Sequence, residues 1–447
     1  MKGILRFLMN LKRSMFIALT FAWFIGAGTL LLMLPISNTN GQWLPFIDAL
    51  FTATSASCVT GLAVVDTGKG FTYFGQTVLI LLIQIGGLGI MTITSLLSVG
   101  MGKRIDIKHR LLIQESLNQD DPSGVIRMTM NIVKYTLCIE FFFGTVMALY
   151  FYESMGLSAF YWGYWHSVSA FCNAGFDLMG NFASLVSMRA DIVINFCFMM
   201  LIMLGGLGFT VIGDVLHNRK WRKFSLHTKL VLCVNTTLVF GGGLMIWLLE
   251  HNNEATLGGM SVGHQLMASL FQSISLRTAG FNTIDIASLS SATLFLMMAL
   301  MFIGASSTST GGGIKTTTFA VLVASTAALL RDKKDVVIFH RRLEPSVISK
   351  ATSVFLLAFL WICLAIFLLM VFDDKNQPFQ FIMFEVFSAM GTVGMGVGIT
   401  TEWNSICKFV LIMTMYVGRI GILTFSMSFF NKKIDKLRYP TENVLIG

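Results

Sequence analysis

Four glycines, Gly61, Gly175, Gly280 and Gly394, each close a short run of small or polar residues, and they recur 114, 105 and 114 residues apart. The runs read SASCVTGLAVVDTG (55–68), SAFCNAGFDLMG (169–180), SISLRTAGFNTID (273–285) and SAMGTVGMGVG (388–398). Similar segments at a near-constant spacing mark a chain built from copies of one unit. The chemistry they offer is neither acid–base nor nucleophilic. Glycine admits backbone angles that turn carbonyls to one side with no Cβ in the way, and a ring of carbonyls can replace the hydration shell of a monovalent cation. The candidate filter triplets are therefore Val59, Thr60 and Gly61; Asn173, Ala174 and Gly175; Thr278, Ala279 and Gly280; and Thr392, Val393 and Gly394. The expected ion ligands are the backbone carbonyls of Val59, Thr60, Asn173, Ala174, Thr278, Ala279, Thr392 and Val393.

Such loops need a frame that holds them away from bulk water. Of 447 residues, 55% are hydrophobic and only 12% charged, where a soluble protein carries about a quarter charged residues. Mean hydropathy is +0.73. Apolar runs such as Phe16–Leu34, Phe74–Ser98 and Ser353–Phe372 approach the roughly 20 residues that cross hydrocarbon. The first has no cleavage pattern after it and reads as retained. The net charge of +9 would suggest nucleic acid in a soluble protein. Here the basic residues gather in alternate connections: Lys2 to Arg13, Lys103 to Lys134, Arg219 to Lys229, Arg331 to Lys350 and Lys432 to Arg438. That asymmetry is the positive-inside pattern, which places both termini in the cytoplasm and disfavours a nucleic-acid partner. The seven cysteines, at 58, 138, 172, 197, 233, 363 and 407, show no zinc-ligand spacing and read as buried reduced thiols.

The surroundings of each glycine repeat as well. A spanning segment precedes it, and then a half-length amphipathic stretch: Leu44–Ser57, Tyr161–Phe171, Gly263–Leu276 and Gln380–Met390. About 13 residues of helix rise roughly 20 Å, which reaches mid-membrane without crossing. A second span follows with a glycine patch, Gly86-Gly87-Leu88-Gly89, Gly205-Gly206-Leu207-Gly208, Gly304 or Gly418-Arg419-Ile420-Gly421. The patches start 25, 30, 24 and 24 residues after the filter glycines, and close packing and function both remain open for them. The expected fold is an all-α integral membrane protein of four tandem helix–pore-loop–helix repeats. Its eight spans and four re-entrant pore helices would stand in a pseudo-fourfold arrangement around one pore. The expected boundaries are repeat 1 over 1–100, a cytoplasmic connection and repeat 2 over 101–217, repeat 3 over 218–335, repeat 4 over 336–430 and a tail over 431–447. Pore-helix ends carry partial negative charge, which suits a cation path.

The second span of repeat 3 is interrupted. Ser291–Gly304 and Thr317–Leu330 are apolar halves of 14 residues around the polar segment ASSTSTGGGIKT (305–316). Neither half crosses alone, so the segment lies within the membrane thickness and should face the path inside the filter. The candidate gate comprises Ala305, Ser306, Ser307, Thr308, Ser309, Thr310, Gly311, Gly312, Gly313 and Lys315, with Arg419 facing it from repeat 4. A charge at membrane depth is a functional hypothesis by default. Arg419 is expected to narrow the path and hold this loop, the alternative being structural pairing with a buried carboxylate. Arg277 is expected to hold pore-helix ends or loop carbonyls, and Asp48, His166 and Glu385 to make hydrogen bonds. The loop is not a phosphate loop, because Ile314 separates Gly313 from Lys315. The spans hold no HExxH, GxSxG or paired carboxylates for an enzyme, and no arginine-rich voltage-sensing span. The copies are parallel rather than inverted, which favours a pore over inverted-repeat transport.

These segments resemble the Trk/Ktr/HKT superfamily of potassium transporters over essentially the whole chain, with the length of a bacterial Ktr membrane subunit. The carriers are CVTGL (58–62), NAGFD (173–177), RTAGFNT (277–283), TVG (392–394), STSTGGGIK (307–315), VGRIG (417–421) and YPTENVLIG (439–447). The resemblance implies K⁺ as the transported ion, no cofactor bound by this chain, and a homodimer with one pore per protomer. The tail is similar to tails that pack at the dimer contact. It also implies a cytosolic ring of nucleotide-binding regulatory subunits, with ATP or ADP on that partner, and a place in the bacterial plasma membrane. In the plant branch a Ser in the first loop goes with Na⁺ permeation, so Gly61 favours K⁺. The alternative is a Na⁺-permeable or weakly selective transporter of the same architecture. The extra glycines Gly396 and Gly398 depart from the family pattern and would loosen the outer mouth.

Overall fold

The structure, a computed structural model, describes residues 13–89, 92, 111, 125–429 and 442. The basic residues of 1–12, those of 103–124 and 432–438, the end of the Phe74–Ser98 run and most of the 439–447 tail lie outside the described residues. The protein is mostly helical. In chain order the main helices are α1 (Arg13–Met33), α2 (Phe46–Cys58), α3 (Tyr73–Leu88), α4 (Val125–Met155), α5 (Ser158–Phe171), α6 (Ile192–Leu207) and α7 (Phe209–Asn218). They continue with α8 (Leu226–Glu250), α9 (Val262–Ser275), α10 (Ser291–Phe302), α11 (Thr316–Leu330), α12 (Pro345–Phe372), α13 (Phe379–Gly391), α14 (Ser405–Ile420) and α15 (Ile422–Phe429). A two-residue antiparallel hairpin, Val337–Ile338 with Arg341–Arg342, joins α11 to α12.

Helices α1, α4, α8 and α12 are long and apolar enough to cross a membrane. Their outward faces carry Trp23, Phe141, Phe142, Phe240, Phe359 and Phe367, which suits lipid rather than water. Each packs against the short helix that follows it, giving the pairs α1–α2, α4–α5, α8–α9 and α12–α13. The short helices present their buried faces to the centre of the molecule, where Phe51, Phe171, Phe271 and Phe384 are fully enclosed.

The next helix of each set begins at a polar cap. Thr72 accepts from the Gly75 N–H, Asp191 from Ile194, Ser290 from Thr293, and Asn404 from Ile406 and Cys407. Fourteen residues later, in all four, comes the glycine of the patch, Gly86, Gly205, Gly304 or Gly418. The unequal spacing from filter glycine to patch therefore arises wholly in the connection before the cap.

Two expectations change here. The second spans are not continuous helices: α3, α6 and α14 end at the glycine patches, where Gly89, Gly208 and Gly421 have φ of +86°, +95° and +91°. A residue with a Cβ is strained at such angles. The chain then turns by 94° between α6 and α7 and by 100° between α14 and α15, so repeat 3 is not alone in having a broken second helix. The cysteines are free, but only Cys58, Cys172, Cys197 and Cys407 are buried, while Cys138, Cys233 and Cys363 are exposed. In a membrane protein the exterior is as apolar as the core, so an apolar segment does not imply burial.

Candidate ion path

Each short helix ends in the same way. Its last turn is followed by a residue in the left-handed region, Val59 (φ +56°), Asn173 (+59°), Thr278 (+72°) or Thr392 (+51°), and two residues on by a glycine at positive φ. That glycine is Gly61 (+99°), Gly175 (+71°), Gly280 (+82°) or Gly394 (+90°). Alternating hands in successive residues turn successive carbonyls the same way, which an ordinary strand cannot do.

The four glycines meet. A Cβ on Gly61 would lie 2.6 Å from the Ala174 carbonyl oxygen and 3.0 Å from Gly175 Cα. One on Gly175 would lie 2.9 Å from the Ala279 oxygen, and one on Gly280 2.5 Å from the Val393 oxygen. One on Gly394 would strike the Thr60 oxygen and lie 2.7 Å from Gly61 Cα. Each glycine thus abuts the carbonyl before the next, in the order 61, 175, 280, 394 and back to 61. Four segments more than 100 residues apart close one ring, with no room for a side chain at any of the four places.

Serine hydroxyls hold the ring from behind. Ser55 Oγ accepts from the Gly61 N–H at 3.0 Å and Ser388 Oγ from the Gly394 N–H at 3.0 Å. Ser169 and Ser275 instead donate to the carbonyls of Phe176 and Phe281, at 2.7 and 2.5 Å. Glycines of the second helices make this possible. A Cβ on Gly86, Gly205 or Gly418 would run into the carbonyl of Ser57, Phe171 or Met390, the last turn of a short helix in each case. Close approach is thus the role of these patch glycines.

On one side of the ring a cavity of about 210 Å³ is lined by all four filter glycines and by Asp66, Asp177 and Glu385. Burial pushes the Asp177 carboxyl up to about 6, the Asp66 charge adding to the rise and the Met179 N–H opposing it.

On the other side lies the segment between α10 and α11. Gly312 N–H donates to Thr392 Oγ1 at 3.1 Å, and Thr310 Oγ1 to Phe171 O and Asn173 Oδ1 at 3.2 and 3.3 Å. A Cβ on Gly311 would strike Thr278 Oγ1. Ser306 and Thr310 N–H groups donate to Gly206 and Gly205 carbonyls, each at 3.2 Å, and Phe209 N–H to Thr308 O at 2.9 Å. Arg419 donates to the carbonyls of Thr310, Gly86 and Gly87, and so ties repeats 1 and 4 to the loop. It pairs with no carboxylate among the described residues. Lys315 curls onto its own loop, donating to Gly311 O at 2.7 Å and Gly312 O at 3.4 Å. A cavity of about 300 Å³ opens beneath, lined by Thr308, Ser309, Gly311, Gly313, Lys315 and Arg419 among others.

All four candidate triplets converge, and the candidate gate residues 305–313, Lys315 and Arg419 gather beneath them. Arg277 donates to Gly304 O at 3.2 Å, and its own carbonyl accepts from Asn173 Nδ2 at 3.3 Å. Asp48 makes an ion pair, unforeseen from the sequence, with Lys408 at 2.8 Å. The four serines were also missed, although a serine stands six, six, five and six residues before the four glycines.

A ring of backbone carbonyls at the junction of four half-length helices, framed by apolar helices, defines a membrane protein that passes ions. The chain belongs to the TrkH family of cation transport proteins, whose model matches residues 10–437. It is 44% identical to the Ktr system potassium uptake protein B of Bacillus subtilis, over 96% of both chains. It is 37% identical to the potassium/sodium uptake protein NtpJ of Enterococcus hirae, over 94% of both. The crystal structure of the potassium transporter TrkH from Vibrio parahaemolyticus has the same fold, with a TM-score of 0.74 at 19% identity, covering 94% of this chain and 86% of that one.

Proposed function

We propose that this chain is the K⁺-conducting membrane subunit of a potassium-uptake system, with the glycine ring as selectivity filter. The observation that carries the reading is the ring itself, in which each of four glycines leaves room only for the carbonyl of the next loop. In this reading K⁺ exchanges its hydration shell for the carbonyls of the four triplets, and the ends of the short helices favour positive charge at the centre. Each repeat then contributes two spans, and the second begins with a helix of 12 or 16 residues that descends from the outer cap to the level of the filter. Repeats 1 to 4 occupy 1–100, 101–217, 218–335 and 336–430. The 305–316 segment is the gate, and Arg419 is its anchor. Both termini are cytoplasmic, the chain pairs with a second copy, and a cytosolic nucleotide-binding ring controls opening.

The decisive experiment is ⁸⁶Rb⁺ uptake into proteoliposomes holding this chain with the 305–316 loop shortened, competed with K⁺ and with Na⁺. Competition by K⁺ and not Na⁺ is expected. A silent but correctly inserted protein would refute both pore and gate. Equal competition would establish the second reading, a Na⁺-permeable transporter. That reading is supported by the single glycine in each filter triplet and by the name of the Enterococcus relative.

A further inference from the structure

Two titratable side chains sit behind the filter at matching places. His166, on α5, and Glu385, on α13, each stand nine residues before a filter glycine, Gly175 and Gly394. Both are fully buried. Each accepts the backbone N–H of the residue three places after that glycine: His166 Nε2 from Leu178 at 3.1 Å, and Glu385 Oε1 from Val397 at 3.0 Å.

The details show sites shaped for these bonds. His166 Nδ1 lies 2.8 Å from the Trp162 carbonyl, which calls for a proton on Nδ1 and leaves Nε2 free to accept. The ring is fixed between Trp162, Trp165 and Phe198, with centroids at 4.0, 5.5 and 6.0 Å. On the fourth loop a Cβ at Gly396 would lie 2.8 Å from Glu385 Oε1, so glycine lets the chain pass against the carboxylate. Gly396 is thus held against the carboxylate, whereas a Cβ at Gly398 would meet nothing within 4 Å.

Repeats 1 and 3 lack the device. Their equivalent positions hold Thr52, whose hydroxyl bonds Asp48 O on its own helix, and Phe271. In the ring order 61, 175, 280, 394 the two loops held by their own short helices face each other across the axis; of the other two, the third is tied to the second loop through Asn282, whose N–H donates to Ser184 Oγ and whose carbonyl accepts from the Leu185 N–H. Carbonyls discriminate between ions by their number and spacing, so fixing one opposed pair sets one diameter of the ring.

We propose that His166 and Glu385 are positioning residues that pin the outer ends of the second and fourth filter loops and thereby set the ring's discrimination between K⁺ and Na⁺. The proposal rests on the filter reading and deepens it. Glu385 also lines the cavity against the filter glycines, but in this proposal it acts, like His166, through the backbone N–H that it holds.

The test is the ratio of Na⁺ to K⁺ concentrations that halve ⁸⁶Rb⁺ uptake, measured with maximal uptake rate and the amount of inserted protein. Glu385→Ala and His166→Ala are expected to lower that ratio about tenfold, equal to about 1.4 kcal/mol. Glu385→Gln and His166→Gln keep an acceptor oxygen near the same place and should retain most of the ratio. If the alanine variants fail to insert, Glu385→Asp serves instead. It keeps the carboxyl group, but one methylene fewer withdraws the oxygen from Val397, and the same fall is expected. Gly394→Ser in parallel separates the two ideas. A changed ratio in Gly394→Ser with unchanged ratios in the Glu385 and His166 variants would overturn the positioning role and leave the filter intact. An unchanged ratio in all of them would overturn both.

Discussion

Arg419→Ala tests the proposed gate most directly, because the structure separates what the guanidinium holds from what holds the guanidinium. Its bonds to Gly86 and Gly87 carbonyls fix it to repeat 1, and its bond to the Thr310 carbonyl is the one that ties it to the loop. Releasing the loop therefore severs one charge-assisted hydrogen bond, worth about 1.5–3 kcal/mol. The remaining ties, from Ser306, Thr308, Thr310 and Gly312 to repeats 2 and 4, are common to wild type and variant and drop out of the difference. Removing Arg419 should thus shift the balance toward the released loop by roughly ten- to hundredfold. The assay is the initial rate of ⁸⁶Rb⁺ entry into proteoliposomes with no regulatory partner, normalised to inserted protein. A rise of at least fivefold is expected. Lys315→Ala, which loses only bonds within the loop itself, should raise the rate much less. Normal insertion with an unchanged or lower rate in Arg419→Ala would refute the anchoring argument, because no other step in it is adjustable.

Gly394→Ser places a side chain against the Thr60 oxygen and 2.7 Å from Gly61 Cα, so the ring must widen. K⁺ over Na⁺ preference in competed ⁸⁶Rb⁺ uptake should fall, and an unaltered preference would remove the filter assignment. Asp177 is held up to about 6 by burial, so the folded protein takes its proton first as pH drops through that value. The cavity that it lines with the four glycines then loses negative charge, half-saturation for Rb⁺ should rise, and the fold should gain stability on this account between about pH 6 and 4; Asp177→Asn should flatten the uptake response. Lys408→Ala leaves the Asp48 carboxylate partly buried and unpaired. It should lower thermal stability by about 1–3 kcal/mol, with recovery in the double variant Asp48→Asn/Lys408→Ala, and equal melting of the single variant and wild type would show the pair to be idle.

Much of the site was legible because its demands are local. A left-handed turn followed by a glycine at positive φ leaves a recurring short motif, and the pore-helix stretches Leu44–Ser57, Tyr161–Phe171, Gly263–Leu276 and Gln380–Met390 lie within three residues of the helices observed at each end. The break in repeat 3 was legible for the same reason, since twelve residues, all but Ile314 small or polar, interrupt an apolar run. Bends at Gly208 and Gly421 were not, because a single glycine in an apolar segment looks alike whether it kinks the chain or packs against a neighbour. The serines went unremarked because serine is unremarkable in a membrane helix until the amide or carbonyl it meets is known.

By itself the amino-acid sequence determined the membrane setting, the recurrence of four similar glycine runs and the polar break, all of which follow from composition, period and backbone permissiveness along the chain. Only the tertiary structure decided that the glycines close in one ring, that Arg419 bonds carbonyls of two repeats and no carboxylate among the described residues, and that Asp48 finds Lys408 360 residues away. The reason is one of range. Local conformation depends on neighbours in the chain, whereas the partner of a buried donor is whichever group four packed repeats bring within about 3 Å of it.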